Sequence, residues 1–158
     1  MAGKLHEYRV AVTWTGNLGT GTSGYRAYGR DHEIAAAGKP TLPGSSDPAF
    51  RGDPARWNPE ELLVASVSTC HQLWYLHLAS DAGIRVVAYE DHPVGRMAED
   101  GKGSGGFVGV TLHPTVTIAA GGDAAKAASL HHDAHAMCFV ANSVNFAIDC
   151  IPEIKIEL

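Results

Sequence analysis

The chain has 158 residues, of which 45% are apolar and 18% charged. That is enough for one domain with a real core, and too little charge for a disordered chain. Twelve Lys and Arg against seventeen Asp and Glu leave a net charge of −5 with no basic run, which argues against a nucleic-acid backbone or an anionic membrane surface as partner.

The low charge fraction suggests that part of the surface is covered by a partner subunit. Met1 to Tyr8 carry no apolar signal region, so a cytoplasmic protein is expected. The longest apolar stretch, Leu62 to Ala79, holds Ser66, Ser68, Thr69, His71, Gln72 and His77. That composition predicts a buried helix, not a membrane span. Three cysteines, an odd number, fit thiol chemistry better than a disulfide scaffold.

Tyr8, Val10, Val12 and Trp14 alternate with Arg9, Ala11 and Thr13, which predicts a strand. A turn region follows over 16–24, and Tyr25 to Ile34 is expected to return as a second strand. Residues 37–57 are rich in Pro, Gly, Ser and Asp and read as a long loop. Asn58-Pro59-Glu60-Glu61 starts a helix: Asn58 caps, Pro59 suits the first helical position, and two carboxylates meet the positive end of the dipole. The helix should run over 58–82 and stop at Gly83. Its apolar residues lie on nearly every face, so it should be central and enclosed.

A strand is expected over 84–89, a turn tip over 95–106, and one long strand from Val108 to Ile118, with Pro114 marking an edge or bulge. A second helical region spans 123–146, with Asp123 as cap and a short extra helix near its end. A terminal strand falls in 150–158. This order, with antiparallel hairpins, predicts a single α+β domain over 1–158.

Gly19-Thr-Gly21-Thr-Ser-Gly24 matches a dinucleotide-binding pattern in letters only. Tyr25-Arg26-Ala27-Tyr28-Gly29 cannot open the helix that would hold a pyrophosphate, so a hairpin loop is expected. His131, His135 and Cys138 could share one helical face and offer zinc ligands, although no fourth ligand is specified. Cys70, in the middle of the first helix, reads either as an inert small hydrophobe or as a reactive thiol. Cys150, next to the terminal strand, reads as structural.

Asn58-Pro59-Glu60-Glu61-Leu62-Leu63, with Cys70 ten residues after Glu60, and Cys138 in Met137-Cys138-Phe139-Val140-Ala141-Asn142-Ser143, together resemble the OsmC/Ohr family of osmotically inducible and organic-hydroperoxide-resistance proteins. The resemblance implies an intertwined homodimer in which antiparallel sheets wrap long central helices. It implies a peroxidase that uses a cysteine pair with no metal and no cofactor. Its substrate would be an organic hydroperoxide, with hydrogen peroxide second, and its reductant a dithiol or a lipoylated protein. Cys70 would be the peroxidatic and Cys138 the resolving cysteine. Glu60 would hold an activating arginine, for which Arg51 is first choice, Arg30 second and Arg26 third. Phe50, Trp57, Trp74, Met137 and Phe139 are candidate walls of the substrate pocket, or else ordinary core. The alternatives are a non-catalytic binding protein of the same fold, or a zinc protein built on His131, His135 and Cys138. Two positions depart from the family pattern: His71 follows Cys70, and Phe139 follows Cys138.

The chemistry asks for such a set. A thiol with its reference pKa of about 8.5 is mostly protonated at neutral pH, so it needs a nearby cation or strong donor. Arginine stays charged and can also bind the peroxide oxygens, and a carboxylate can hold it by bidentate pairing. Ten helical residues separate Glu60 from Cys70, about 15 Å along the axis. One straight helix therefore cannot bring both to one site, which predicts two helices crossing at a two-fold axis.

Overall fold

The computed structural model describes residues 3–158. They form nine short strands and two α-helices, an α+β fold. The chain makes two compact units, one up to residue 62 and one over 63–158.

In the first unit, β1 (Ala11–Trp14), β2 (His32–Ala35) and β3 (Leu42–Gly44) form an antiparallel sheet in the order β1-β2-β3. The second strand is shorter than the sequence predicts. The Arg30 guanidinium lies over the rings of Tyr25 and Tyr28, 4.5 and 4.1 Å from their centres. It also donates to the backbone oxygens of both residues, at 2.8 and 2.6 Å, which holds 25–30 in a turn. The glycine-rich segment is a loop, as expected: the N–H groups of Gly19 and Gly21 both donate to Asn17 Oδ1, and both glycines have positive φ. Gly16 is required by close approach, since a Cβ there would stand 2.0 Å from the Gly29 oxygen.

The expected loop over 37–57 is more ordered than its composition implies. It contains β3 and a 3-10 turn at Pro48–Phe50, capped by Asp47, whose carboxylate accepts from the Ala49 N–H. Fully buried Ser45 ties the segment together: its hydroxyl donates to Asp31 and accepts from the Asp53 N–H.

α1 (Pro59–Asp81) begins where predicted. Asn58 Oδ1 accepts from the Glu61 N–H at 2.8 Å, and Glu61 Oε2 accepts from the Asn58 N–H at 3.2 Å. Such reciprocal caps satisfy two otherwise orphaned donors and are worth about 1 kcal/mol. The helix ends at Gly83, which takes φ 71.

In the second unit, β4 (Val86–Asp91), β7 (Pro114–Ile118) and β9 (Glu153–Ile156) make one sheet. β5 (Val94–Glu99), β6 (Gly105–Leu112) and β8 (Ala147–Cys150) make another. Tyr75 and Ala79 of α1 pack with Val116 and Ile118 of β7 and with Ala127, Leu130 and Ala134 of α2 (Ala124–Met137). Val67 of α1 packs with Val110 and Leu112 of β6. Full burial of each Val, Leu or Ile contributes about 1.5–3 kcal/mol. Asp123 caps α2 by accepting from the Lys126 N–H.

Four further expectations need correction. The long strand over Val108–Ile118 is two strands in different sheets. Pro114 has no N–H to continue the ladder of β6, and the His113 N–H donates to Asp91 Oδ1 at 2.7 Å instead. Pro152 divides β8 from β9 in the same manner, so the two halves pair with β6 and β7 in parallel, not as antiparallel hairpins. The expected tip over 95–106 is mostly strand, with the turn confined to 100–104, where Asp100 accepts from the Lys102 and Ser104 N–H groups. Lastly, α1 is not enclosed by its own chain: it fully buries only Val67, Ser68, His71, Tyr75 and Ala79, while Leu73 is 68% exposed.

Candidate active site: a thiol pair and a buried imidazole pair

Cys70 lies half-buried on the middle of α1. Cys138 is the residue at which α2 ends; its backbone N–H donates to the His135 oxygen and its φ, ψ of −70, 110 turn the chain out of the helix. That bend buries the Cys138 sulfur almost completely and lets it accept from the Ala141 N–H at 3.4 Å. Burial pushes the Cys138 thiol up to about 11, helped by a hydrogen bond to, and the charge of, the Cys70 thiol; the Ala141 N–H opposes it. Cys70, 68 positions earlier in sequence (138 − 70), thus lies close enough to act on the Cys138 thiol. All three cysteines are free.

Aromatic groups stand on the same elements. Trp74, one turn after Cys70, meets Phe139 edge to face at 5.6 Å and lines an open groove of about 270 Å³ with Leu73 and His77. Phe139 and Met137 are exposed, at 69% and 45%.

The remaining predicted residues lie in the first unit. Trp57 lines a concavity of about 310 Å³ with Arg56 and Glu61, and Phe50 is exposed at the end of the 3-10 turn. Arg51 follows Phe50 with φ 67, the one non-glycine residue with positive φ among those described. A side chain in this left-handed region costs on the order of 1 kcal/mol, offset here by the Arg51 N–H bonding the Pro48 oxygen. Among the described residues the Arg51 guanidinium forms no ion pair, and neither does half-buried Glu60. Arg30 is held by Tyr25 and Tyr28, as described above. Arg56, which the sequence did not single out, pairs with Asp31 at 3.4 Å and Asp53 at 3.7 Å.

The alternative zinc set is not assembled. His131 is buried, but His135 on the same helix is exposed and Cys138 turns to Cys70. His131 Nδ1 lies instead 2.9 Å from Nε2 of His71 on α1, and Cys150 Sγ of β8 lies 3.8 Å from the same Nε2. Burial lowers both imidazoles to about 4; Asp91 opposes this at His71, and the neighbouring histidines reinforce it. Burial also raises the Cys150 thiol to about 12, with Asp91 adding to it. Sequence reasoning missed this group because its members lie 60 and 79 residues apart. The one available signal was the polar His71 directly after Cys70.

Comparison with known proteins places the fold. The family model described as OsmC-like protein matches residues 52–153. An OsmC-like protein of unknown function from Vibrio cholerae superposes with a TM-score of 0.84 at 28% identity, covering 94% of this chain and 99% of that one. An organic hydroperoxide resistance protein OsmC from Legionella pneumophila gives 0.70 at 17% identity, covering 97% and 99%. An organic hydroperoxide resistance protein from Elizabethkingia anophelis gives 0.66 at 19%, covering 96% and 99%. No curated protein is similar enough in sequence to count as a match. The chain belongs to the OsmC-like family, and its α+β fold is that of the family. Among the described residues no helix is long and apolar enough to cross a membrane.

Proposed function

We propose that the chain is a thiol-dependent peroxidase that reduces organic hydroperoxides. The observation that carries this reading is the asymmetry of two adjoining thiols: Cys70 is partly accessible, while Cys138 is buried and held protonated. An accessible sulfur can meet a peroxide; a buried one beside it can capture the product. The names of the Legionella and Elizabethkingia proteins point to the same substrate class.

In the proposed cycle the Cys70 thiolate attacks the O–O bond. A sulfur–oxygen bond forms, the O–O bond breaks, and a proton delivered to the departing oxygen releases an alcohol, leaving Cys70 as a sulfenic acid. Cys138 then attacks that sulfur, loses its proton, and expels water as the disulfide closes. This protects Cys70 from irreversible oxidation. A dithiol, such as a lipoylated protein, restores both thiols by exchange and is itself oxidised to a disulfide. Arg51 is the proposed activating cation and Glu60 its proposed holder; its guanidinium, like that of Arg26, the third candidate, forms no ion pair among the described residues. Arg30 is the weaker candidate, since its guanidinium is already occupied by two tyrosines. Trp74, Phe139 and Met137, with Phe50 and Trp57, would offer apolar walls to an organic peroxide.

The reading includes a homodimer. It is supported by apolar surface that the chain leaves uncovered, such as Leu73 on α1 and Val10, Val12 and Trp14 at the first strand. A second copy would cover such residues, and crossing helices would bring Glu60 of one protomer toward Cys70 of its partner. A cytoplasmic location would supply the dithiol.

A Cys138→Ser chain tests the resolving role. It should consume on the order of one equivalent of cumene hydroperoxide and then stall or over-oxidise at Cys70. Undiminished repeated turnover with a dithiol would contradict the assignment.

A further inference from the structure

We propose that His71, His131 and Cys150 form a buried zinc-binding site, separate from the Cys70–Cys138 pair. The three side chains come from α1, α2 and β8 and present Nε2, Nδ1 and Sγ within 4.8 Å of one another. Tetrahedral zinc, with bonds of about 2.0–2.1 Å to nitrogen and 2.3 Å to sulfur, needs an N···N separation near 3.3 Å and N···S near 3.6 Å. The observed separations are 2.9 Å for the imidazole pair and 3.8 Å from Cys150 Sγ to His71 Nε2. The third pair, Cys150 Sγ and His131 Nδ1, lies within 4.8 Å, so seating the ion requires the two imidazole nitrogens to part slightly and the sulfur to close toward His131.

The donor set selects the metal class. Two imidazoles and one thiol are borderline-soft ligands that suit zinc, and no carboxylate belongs to the set, which disfavours magnesium and calcium. The nearest acid, Asp91, already accepts from the Ser68 hydroxyl at 2.5 Å and the His113 N–H at 2.7 Å. It contributes negative field that favours a cation, not a ligand atom.

A second observation points to the same spot. His131 Nε2 and the hydroxyls of Tyr75 and Tyr89 are buried with no hydrogen-bond partner, a condition rare in folded proteins. Tyr75 stacks on His131 with ring centres 4.0 Å apart and lies 5.8 Å from the Tyr89 ring, while the charge of Cys150 is felt at Tyr89. These three polar atoms thus belong to residues packed on or beside the His131 imidazole. Burial keeps both imidazoles in the neutral form that metals bind, whereas it favours the protonated Cys150 thiol, whose proton would leave to solvent as the ion binds.

Cobalt(II) titration of the full chain, with and without zinc competition, tests the proposal. One equivalent should bind, giving a thiolate-to-cobalt charge-transfer band and the intense visible bands of four-coordinate cobalt; zinc should bleach them. A Cys70→Ser/Cys138→Ser chain should keep these bands, and Cys150→Ser should lose the charge-transfer band. X-ray absorption of the zinc-loaded parent chain supplies the answer should Cys150→Ser not fold: the shell should contain one sulfur and two imidazoles. Binding well short of one equivalent, a sulfur-free shell, or a charge-transfer band lost with Cys70 and Cys138 but retained without Cys150 would each overturn it.

Discussion

Replacing Cys70 with serine is expected to lower organic hydroperoxide turnover by on the order of 10³-fold, because a hydroxyl at neutral pH supplies almost no anion and a far weaker nucleophile toward an O–O bond. Cys70 is partly accessible on the middle of α1, where an aromatic pair, Trp74 and Phe139, lies within the same stretch of surface. The serine differs by one atom, so the helix and its packing should be unaltered and the loss should be chemical. Consumption of cumene hydroperoxide with a dithiol reductant, alongside an unchanged unfolding midpoint, checks it. A Cys70→Ser chain working at the parent rate would remove the peroxidatic assignment.

Acid is expected to destabilise the metal-free chain through the imidazole pair. His71 and His131 are lowered from 6.5 to about 4, in each case chiefly by burial. Facing His71 are His131 from α2, Cys150 from β8 and the Asp91 charge from β4, with His135 acting at longer range. Because the folded values lie below the unfolded one, the unfolded chain takes up protons that the native chain refuses between pH 6.5 and about 4. The stability is therefore fully present above 6.5 and declines as the pH falls through that window. Each pH unit between the folded and unfolded values is worth about 1.36 kcal/mol for each imidazole, so the loss comes to several kcal/mol. Urea midpoints at neutral pH and at about pH 4.5, inside that window, should diverge more for the parent chain than for a His71→Gln/His131→Gln chain. Equal divergence would show that other groups carry the acid sensitivity.

Local signals in the sequence were strong enough to fix the helices. Asn58-Pro59-Glu60-Glu61 and Asp123 act over three or four residues, and both caps form as their side chains dictate. The proline at 114 was legible as an interruption, yet its consequence depends on Asp91 taking the His113 N–H and on a second break at Pro152 in parallel register. Neither partner is local, so periodicity alone read one long strand where there are two. The second strand was overestimated because alternation cannot register a guanidinium that clamps Tyr25 and Tyr28 into a turn.

The candidate site divides along the same line. Cys70 and Cys138 were singled out through motif resemblance, and Cys70 acts on the Cys138 thiol. The histidine cluster was sought at helical spacing, as His131, His135 and Cys138. The fold instead turns His131 across to α1, because a helix presents only one stripe to the core and His135 lies off it. Side-chain identity told that imidazoles were present; only tertiary packing could tell which would meet.

Intact mass and peptide mapping after one equivalent of peroxide, with no reductant, put the whole scheme at risk in a single experiment. The expected product is a chain lighter by two hydrogens, with the Cys70 and Cys138 peptides joined and Cys150 still free. An unmodified chain, or a bridge that leaves out Cys70, would contradict the two-cysteine cycle.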